Sequence, residues 1–184
     1  DGHTTVVARD QGLRETSLDA LAGLPPVLDG GLHTAGTASQ ISDGASVAVI
    51  MDESLARSLG VRPRARILAQ CLVGSDHEYL LDGPIEAATK ALGTAGMQIG
   101  DIDLFEVNEA FASVPMSFQR VHGIAPDKLN VNGGAIAVGH PVGASGIRLI
   151  ATALDEMERT DASVAFVSVC AGGALASGAV LERC

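Results

Sequence analysis

Short apolar runs alternate with segments of helical periodicity along most of the chain. Runs of strand length, rich in β-branched residues, occupy 45–51, 65–73, 102–107, 163–169 and 175–181. Between them, apolar residues recur every three or four positions over 84–95, 110–122 and 144–159. This spacing places them on one face of a helix. A shorter helix is predicted over 53–59, with Asp52 as its N-cap and Gly60 just beyond its end.

The alternation of strands and helices predicts an α/β fold in which helices cover a mixed β-sheet. Residues 162–181 carry no formal charge and are long enough to span a bilayer. The glycine pair at 172–173 divides them into two strand-length runs, so we predict a buried β-hairpin there instead. Residues 130–132 are predicted to be extended before a glycine-rich loop.

A polar, Arg-rich stretch follows the apolar run at 45–51 and marks a domain boundary. The 184 residues allow one full domain and part of another, so we assign 1–52 to the end of one domain and 53–184 to a second. The chain opens on Asp1 rather than Met, so we expect either a processed start or a piece of a longer protein.

Charge and composition exclude several classes of partner. The chain carries 12 basic and 22 acidic residues, and only 3% of its residues are aromatic. We therefore expect no nucleic-acid partner and no membrane-surface helix. Three irregularly spaced cysteines form neither a disulfide framework nor a metal site, and no charged segment precedes an apolar secretory core. These features predict a cytoplasmic protein without a bound metal.

Three reactive side chains follow predicted strands. Asn108 comes directly after the run at 102–107, His140 lies in the glycine-rich loop, and Cys170 ends the run at 163–169. Open α/β sheets bind ligands at the carboxyl ends of their strands. We therefore expect an amide, an imidazole and a thiol to meet at one place.

Each of these residues also has a purely structural interpretation. A free cysteine is commonly a small buried hydrophobe, and a loop histidine is commonly solvated. Asn108 with Glu109 is a good helix N-terminus. In favour of chemistry, glycines after Cys170 allow backbone N–H groups to approach an oxyanion. Pro141 also restricts the backbone of His140 to an extended conformation.

Several segments together resemble the signatures of the thiolase family, the acetyl-CoA acyltransferases. NEAFA at 108–112, NVNGGAIAVGHP at 130–141 and CAGG at 170–173 resemble its C-terminal motifs. TAGTAS at 34–39, followed by DGA at 43–45, resembles its coenzyme A loop. The resemblance runs in order through residues 18–183. It implies that 1–52 is the end of the loop and N-terminal domains and that 53–184 is the C-terminal domain.

The resemblance implies a catalytic role for four residues. His140 would activate the acylated nucleophile and share an oxyanion hole with a water held by Asn108. Cys170 would be the acid and base at the acetyl methyl group. The backbone N–H of Gly172 would bind the thioester oxyanion.

For binding, the resemblance implies that Ser39 and Ala35 contact the pantetheine of coenzyme A and that Phe111 lines the substrate tunnel. The expected reaction transfers acyl groups between coenzyme A and a 3-ketoacyl-CoA, by thiolysis or Claisen condensation. Coenzyme A would be a substrate, with no permanently bound cofactor. Expected partners are the acyl-CoA thioester, the N-terminal half of a thiolase, and further copies in a homodimer or homotetramer.

The chain departs from the family pattern in three places. The family's nucleophilic cysteine belongs to the N-terminal domain, and neither Cys71, on a predicted strand, nor Cys184, the last residue, replaces it. Thr37 and Gln40 stand where Asn and Gly are common in the coenzyme A loop. Residues 79–84 lack the methionine of many biosynthetic members, which favours actinobacterial degradative thiolases, some of which act on steroid side chains.

Two other functions stay open from the sequence. The absent nucleophile is compatible with a non-catalytic module, derived from a thiolase, that binds coenzyme A or supports assembly. A cysteine hydrolase with Cys170 as nucleophile and His140 as base is the third interpretation.

Overall fold

The computed structural model describes residues 2–184. Helices and strands alternate through most of the chain. In chain order they are α1 (Leu18–Ala22), α2 (Glu53–Ser58), β1 (Ala65–Gly74), α3 (Gly83–Ala95), β2 (Leu104–Val107), α4 (Ser113–His122), α5 (Ala135–Val138), α6 (Ser145–Thr160), β3 (Val164–Ala171) and β4 (Leu175–Arg183), with 3-10 turns at Ile99–Asp101 and Pro126–Lys128.

The four strands form one mixed sheet in the order β1-β4-β3-β2. β4 is antiparallel to both β1 and β3, whereas β2 is parallel to β3. The predicted α/β class and mixed sheet are confirmed. Because β2 and β3 run in the same direction, with Val107 opposite Ser168, the residues that follow them lie at the same edge of the sheet.

Helices cover both faces of the sheet. On one face, α3 and α4 enclose an aromatic cluster in which the Phe118 and Phe166 rings stack at 5.8 Å and Phe105 packs against both. On the other face, Leu149 and Met157 of α6 pack against Leu104. Burial of these apolar side chains is the main source of stability for the sheet.

Most predicted elements are confirmed. Asp52 caps α2 through a bond from the Ser54 N–H, and α3 ends at Gly96 in the left-handed conformation, with φ 69°. The apolar stretch at 162–181 forms the antiparallel β3–β4 hairpin, as expected. Within residues 2–184, no helix is both long enough and apolar enough to cross a membrane.

The extended segment predicted over 130–132 is wrong. The chain turns there, and Asn130 has a φ of 48°. The Asn130 side chain accepts a hydrogen bond from the Val107 N–H and donates one to the Val107 carbonyl, at 2.8 and 2.9 Å. A side chain therefore takes the place of a strand neighbour at the end of β2.

The buried strand predicted over 45–51 is also wrong for this structure. The segment forms no strand, and Val47 and Val49 are 89% and 81% exposed. A strand needs the N–H and C=O groups of a neighbour, and none of the described residues pairs with this segment. The segment therefore has the β-branched residues of a strand but no neighbouring strand among the described residues. The domain boundary placed after residue 52 stays a prediction.

Two glycines in neighbouring strands offer a matched test of sheet packing. A Cβ on Gly178 in β4 would lie 3.0 Å from the Ala87 Cβ and 3.1 Å from the Phe166 ring, whereas one on Gly74 in β1 would meet nothing closer than 3.9 Å. We expect Gly178→Ala to lower the free energy of unfolding by about 1–3 kcal/mol, because α3 must move off the sheet. Urea denaturation measures this.

Gly74→Ala is the control for the loss of unfolded-state entropy that any glycine-to-alanine change brings. We expect it to be neutral or slightly stabilising. Equal unfolding free energies for the two variants would contradict the close approach of α3 to β4.

Candidate functional site

Asn108, His140 and Cys170 meet at the carboxyl end of the sheet. Asn108 directly follows β2, is fully buried, and donates its backbone N–H to the Ser168 carbonyl of β3 at 2.9 Å. Its side-chain nitrogen lies 3.3 Å from Nε2 of His140, and the same side chain lies close enough to the Cys170 thiol to lower the pKa of that thiol. One amide therefore lies beside both the imidazole and the sulfur.

The backbone around His140 is fixed on both sides. The His140 N–H donates to the Gln40 carbonyl at 3.3 Å, and Gly139 has a φ of 91°. A Cβ on Gly139 would overlap the Ser42 side chain. The segment 34–42 therefore runs directly beside His140, and only glycine fits before it.

Ser145 determines which nitrogen of the His140 ring carries the proton. The Ser145 Oγ donates its one proton to the Pro141 carbonyl at 3.0 Å and lies 2.6 Å from Nδ1 of His140. We therefore assign Nδ1 as the donor to this oxygen. Nε2 then carries a lone pair, and it faces the Asn108 amide. This arrangement presents His140 as a neutral base.

The surroundings of His140 and Cys170 keep both groups uncharged. Burial, helped by the positive charge of Arg148, lowers the pKa of His140 below its ordinary 6.5. Burial raises the pKa of the Cys170 thiol above its ordinary 9.0, an effect partly offset by the backbone N–H of Cys170 and by the nearby Asn108 side chain. At neutral pH the site therefore holds an unprotonated imidazole and a protonated thiol.

The segment 34–42 reaches the same edge of the sheet. The Ser39 N–H donates to the Ala110 carbonyl and the Ala112 N–H donates to the Thr37 carbonyl, each at 2.9 Å. Phe111 lies between these bonds, and its ring is 5.1 Å from that of His33. Backbone bonds therefore hold Ser39 and Phe111 together in the stretch that begins two residues after Asn108.

Two other predicted site residues lie in exposed turns. Ala35 is exposed in a turn in which the Thr37 hydroxyl accepts the Thr34 N–H at 2.8 Å. Gly172 is exposed in the turn between β3 and β4, two residues after Cys170. The functional roles predicted for these residues, and for the five above, stay predictions.

Glu109 does not cap α4, because α4 begins only at Ser113. Instead, its carboxylate accepts the Ile136 N–H at 3.0 Å, at the start of α5. A Cβ on Gly134 would overlap this carboxylate. Glu109 therefore anchors the glycine-rich loop that leads to His140. The interpretation of Asn108 and Glu109 as an N-terminal cap is wrong.

Sequence reasoning missed three further polar residues near the site. These are Ser145, Glu106 on β2 and Arg148 on α6, and both Glu106 oxygens are buried without a hydrogen-bond partner among the described residues. Only Glu106 left a signal in the sequence, as a charged residue inside an apolar strand-length run.

The remaining cysteines lie away from this constellation. The Cys71 thiol donates to the Ala87 carbonyl between β1 and α3, and Cys184 is exposed. Over residues 2–184, no three His, Cys, Asp or Glu side chains are grouped as metal ligands. The chemistry available here is proton transfer and hydrogen bonding to an oxyanion.

Comparison with known proteins identifies relatives along the whole chain. The family model described as "Thiolase, C-terminal domain" matches residues 61–183, and "Thiolase, N-terminal domain" matches residues 1–54. The chain is 45% identical over 174 residues to steroid 3-ketoacyl-CoA thiolase FadA6 of Mycobacterium tuberculosis, covering 95% of this chain and 43% of the relative. It is 42% identical over 189 residues to a 3-ketoacyl-CoA thiolase of Shewanella frigidimarina, covering 100% and 49%.

A solved structure shares the fold. The crystal structure of human mitochondrial 3-ketoacyl-CoA thiolase superposes with a TM-score of 0.87 at 37% identity, covering 95% of this chain and 45% of that one. A structure of the same human enzyme in complex with CoA gives the same TM-score. The chain spans about half the length of the curated relatives described above.

Removal of the Ser145 hydroxyl tests the assigned tautomer. In Ser145→Ala, Nδ1 of His140 loses its acceptor, so we expect the Nε2-protonated form to become populated. The ¹⁵N chemical shifts of the ring distinguish the two forms. Ser113→Ala is the control, because the Ser113 hydroxyl lies 3.3 Å from Nε2 of His33 instead. An unchanged His140 spectrum in Ser145→Ala would refute the assignment.

Proposed function

Because the chain belongs to the thiolase family, we propose that it carries the acid–base part of an acyltransferase that moves acyl groups between coenzyme A and a 3-ketoacyl-CoA. One observation carries this proposal: the Asn108 amide lies beside both a neutral imidazole and a protonated thiol, next to the segment 34–42. Relatives described as 3-ketoacyl-CoA thiolases support it.

The three side chains suit the cleavage of a carbon–carbon bond next to a thioester. In thiolysis, a nucleophilic cysteine attacks the 3-keto carbonyl after giving its proton to Nε2 of His140. The bond between C2 and C3 then breaks, and its electron pair forms the enolate of acetyl-CoA. The Cys170 thiol donates its proton to that enolate at C2. Formation of an acyl-enzyme divides the acyl transfer into two steps, each with a lower barrier than direct transfer.

The second transfer restores both groups. The Cys170 thiolate takes the proton of an incoming coenzyme A thiol, whose sulfur attacks the acyl-enzyme carbonyl. A new thioester forms, and the nucleophilic cysteine leaves and takes back the proton that Nε2 of His140 holds. In each transfer negative charge develops on a carbonyl oxygen, so we assign its stabilisation to His140 with a water held by Asn108, and to the Gly172 N–H.

The nucleophilic cysteine of this scheme comes from the N-terminal half of a thiolase. Cys71 is engaged with the backbone of α3, and Cys184 lies at the end of the described chain. The further partners in the proposal are an acyl-CoA thioester and additional copies in a homodimer or homotetramer, in the cytoplasm. Coenzyme A is a substrate in this scheme, and no resident cofactor is needed.

Coenzyme A would enter along the segment 34–42. We assign Ser39 and Ala35 to contact with pantetheine and Phe111 to the wall of the acyl tunnel. The support is positional: backbone bonds fasten Ser39 and Thr37 to the residues just after Asn108, and His140 is bonded to Gln40. A chain seated on this segment would present its thioester to the three reactive groups. Residues 1–52 would then form the loop and N-terminal portion, and 53–184 the C-terminal domain.

Alanine substitutions test the assigned roles when the chain is assembled with an N-terminal thiolase half. We expect His140→Ala and Cys170→Ala each to lower kcat for thiolysis by about 10²–10⁴-fold, the usual loss when a general acid or base is removed. For Asn108→Ala we expect about 10²–10³-fold, because the amide holds an oxyanion water. Release of acetyl-CoA from a 3-ketoacyl-CoA measures the rate.

Cys71→Ala is the matched control, since it removes a thiol that lies outside the site. We expect its kcat to stay within about twofold of the parent, because Cys71 takes no part in the scheme. Unchanged turnover in His140→Ala or Cys170→Ala would contradict the catalytic role assigned to that residue. Binding of coenzyme A without any thiolysis in the parent would favour the non-catalytic module.

The pH dependence follows from the lowered pKa of His140. His140 must be unprotonated to accept the thiol proton, and its pKa lies below 6.5. We therefore expect the acidic limb of kcat/KM to be centred below pH 6.5. Cys71→Ala should give the same profile. An acidic limb centred above pH 6.5 would contradict a buried, neutral His140.

A further inference from the structure

His33 lies between two segments to which the proposed function assigns substrate binding. Its side chain is half-buried, and its Nδ1 is 3.3 Å from the Thr37 hydroxyl in the segment 34–42. Its Nε2 is 3.3 Å from the hydroxyl of Ser113, the first residue of α4. Because the two ring nitrogens are separate hydrogen-bonding groups, one side chain bonds both segments at once.

The backbones of the same two segments are joined next to this contact. Two hydrogen bonds link the segment 34–42 to residues 110–112, where they form a short antiparallel bridge. The bond of His33 to Ser113 comes directly after residue 112, so the ring extends the connection beyond the point where the backbone bonds end. Loops held by few contacts open easily. The His33 side chain therefore adds to the few bonds that keep the segment in place.

The hydrogen-bond roles of the His33 ring follow from Thr37. The Thr37 hydroxyl donates its one proton to the Thr34 carbonyl at 3.2 Å and accepts the Thr34 N–H at 2.8 Å. Its remaining lone pair accepts the proton of Nδ1 of His33, and Nε2 then accepts the proton of the Ser113 hydroxyl. The ring thus donates to one segment and accepts from the other.

The same ring supports Phe111. The centroids of the His33 and Phe111 rings are 5.1 Å apart and the planes are tilted by 56°, a geometry in which aromatic rings attract each other. Under the proposed function, Phe111 is the wall of the acyl tunnel and the segment 34–42 contacts coenzyme A. A side chain that bonds the segment and packs against Phe111 determines the separation of the two.

We propose that His33 is a positioning residue for coenzyme A: it holds the segment 34–42 against α4 and determines the distance between that segment and Phe111. This inference rests on the proposed function, which assigns the pantetheine contact to Ser39. The hydrogen bonds and the ring contact of His33 involve none of the three reactive side chains. His33 therefore acts on binding and not on proton transfer.

Kinetics of the chain assembled with an N-terminal thiolase half separate this role from a catalytic one. His33→Phe keeps an aromatic ring beside Phe111 but removes both hydrogen bonds. We expect KM for coenzyme A to rise about threefold to tenfold, as the loss of two hydrogen bonds of modest strength predicts. We expect kcat to stay within about twofold, whereas a loss of folded enzyme would lower kcat and leave KM unchanged. Thiolysis of a 3-ketoacyl-CoA at varied coenzyme A concentrations measures both constants.

Removal of the partner hydroxyl gives an independent check. Ser113→Ala removes one of the two bonds, so its rise in KM should be smaller than that of His33→Phe. The double variant should match His33→Phe, because the bond to Ser113 is already lost there. His77→Phe is the matched control. The His77 side chain is 98% exposed, so this change should leave both kcat and KM at the parent values.

Amide hydrogen exchange tests the contact in the chain alone, without turnover. The Ser39 and Ala112 N–H groups form the two backbone bonds of the bridge. We expect both groups to exchange faster in His33→Phe than in the parent, because the bridge opens more often. In His77→Phe they should exchange at the parent rate.

Three results would overturn the inference. The first is an unchanged KM for coenzyme A in His33→Phe, and the second is a further rise in KM in the double variant. The third is unchanged exchange at Ser39 and Ala112, which would mean that the ring does not hold the segment. Absence of thiolysis from the assembled parent would count against the proposed function, and the exchange rates would still decide whether His33 holds the segment.

Discussion

The parallel pairing of β2 with β3 is the constraint on which the site depends. It places the first residue after β2 beside the last residues of β3, so that the Asn108 N–H bonds the Ser168 carbonyl and the Asn108 side chain reaches Cys170. A backbone ladder thus determines a distance between side chains 62 positions apart in sequence. The other strand pairs are antiparallel: β3 and β4 form a hairpin, and β1 pairs with the other side of β4.

Burial gives the two titrating groups opposite pKa shifts that serve one chemistry. A base loses its proton more readily in a site of low polarity, and an acid keeps its proton longer, because each then avoids a charge. His140 and Cys170 share the Asn108 amide, so a single uncharged group contacts both. If the same two side chains were exposed to water, their pKa values would be closer to the ordinary values of histidine and cysteine. The difference in role between the base and the acid would then be smaller.

Local pattern was sufficient for most helices and strands and for the convergence of three reactive residues. Asn108, His140 and Cys170 each follow a predicted strand or loop, and strand ends share an edge in this fold class. Ser145, Arg148 and Glu106 were missed because their burial, and the contact of Ser145 with His140, follow from the packing of α6 against the sheet, which no spacing reveals. The strand prediction for 45–51 was wrong for a different reason. β-propensity describes how well a residue fits a sheet, but it does not show whether a neighbouring strand is present.

The exposed segment 45–51 has a consequence for the chain in solution. The seven residues carry no charge and no proline, and their three β-branched residues of high β-propensity, Val47, Val49 and Ile50, are largely exposed to water. Such a stretch is a template for intermolecular β-pairing, the first step of ordered aggregation. A preparation of this chain without a covering sheet should therefore lose monomer with increasing concentration, and a lysine placed at Val49 should slow that loss.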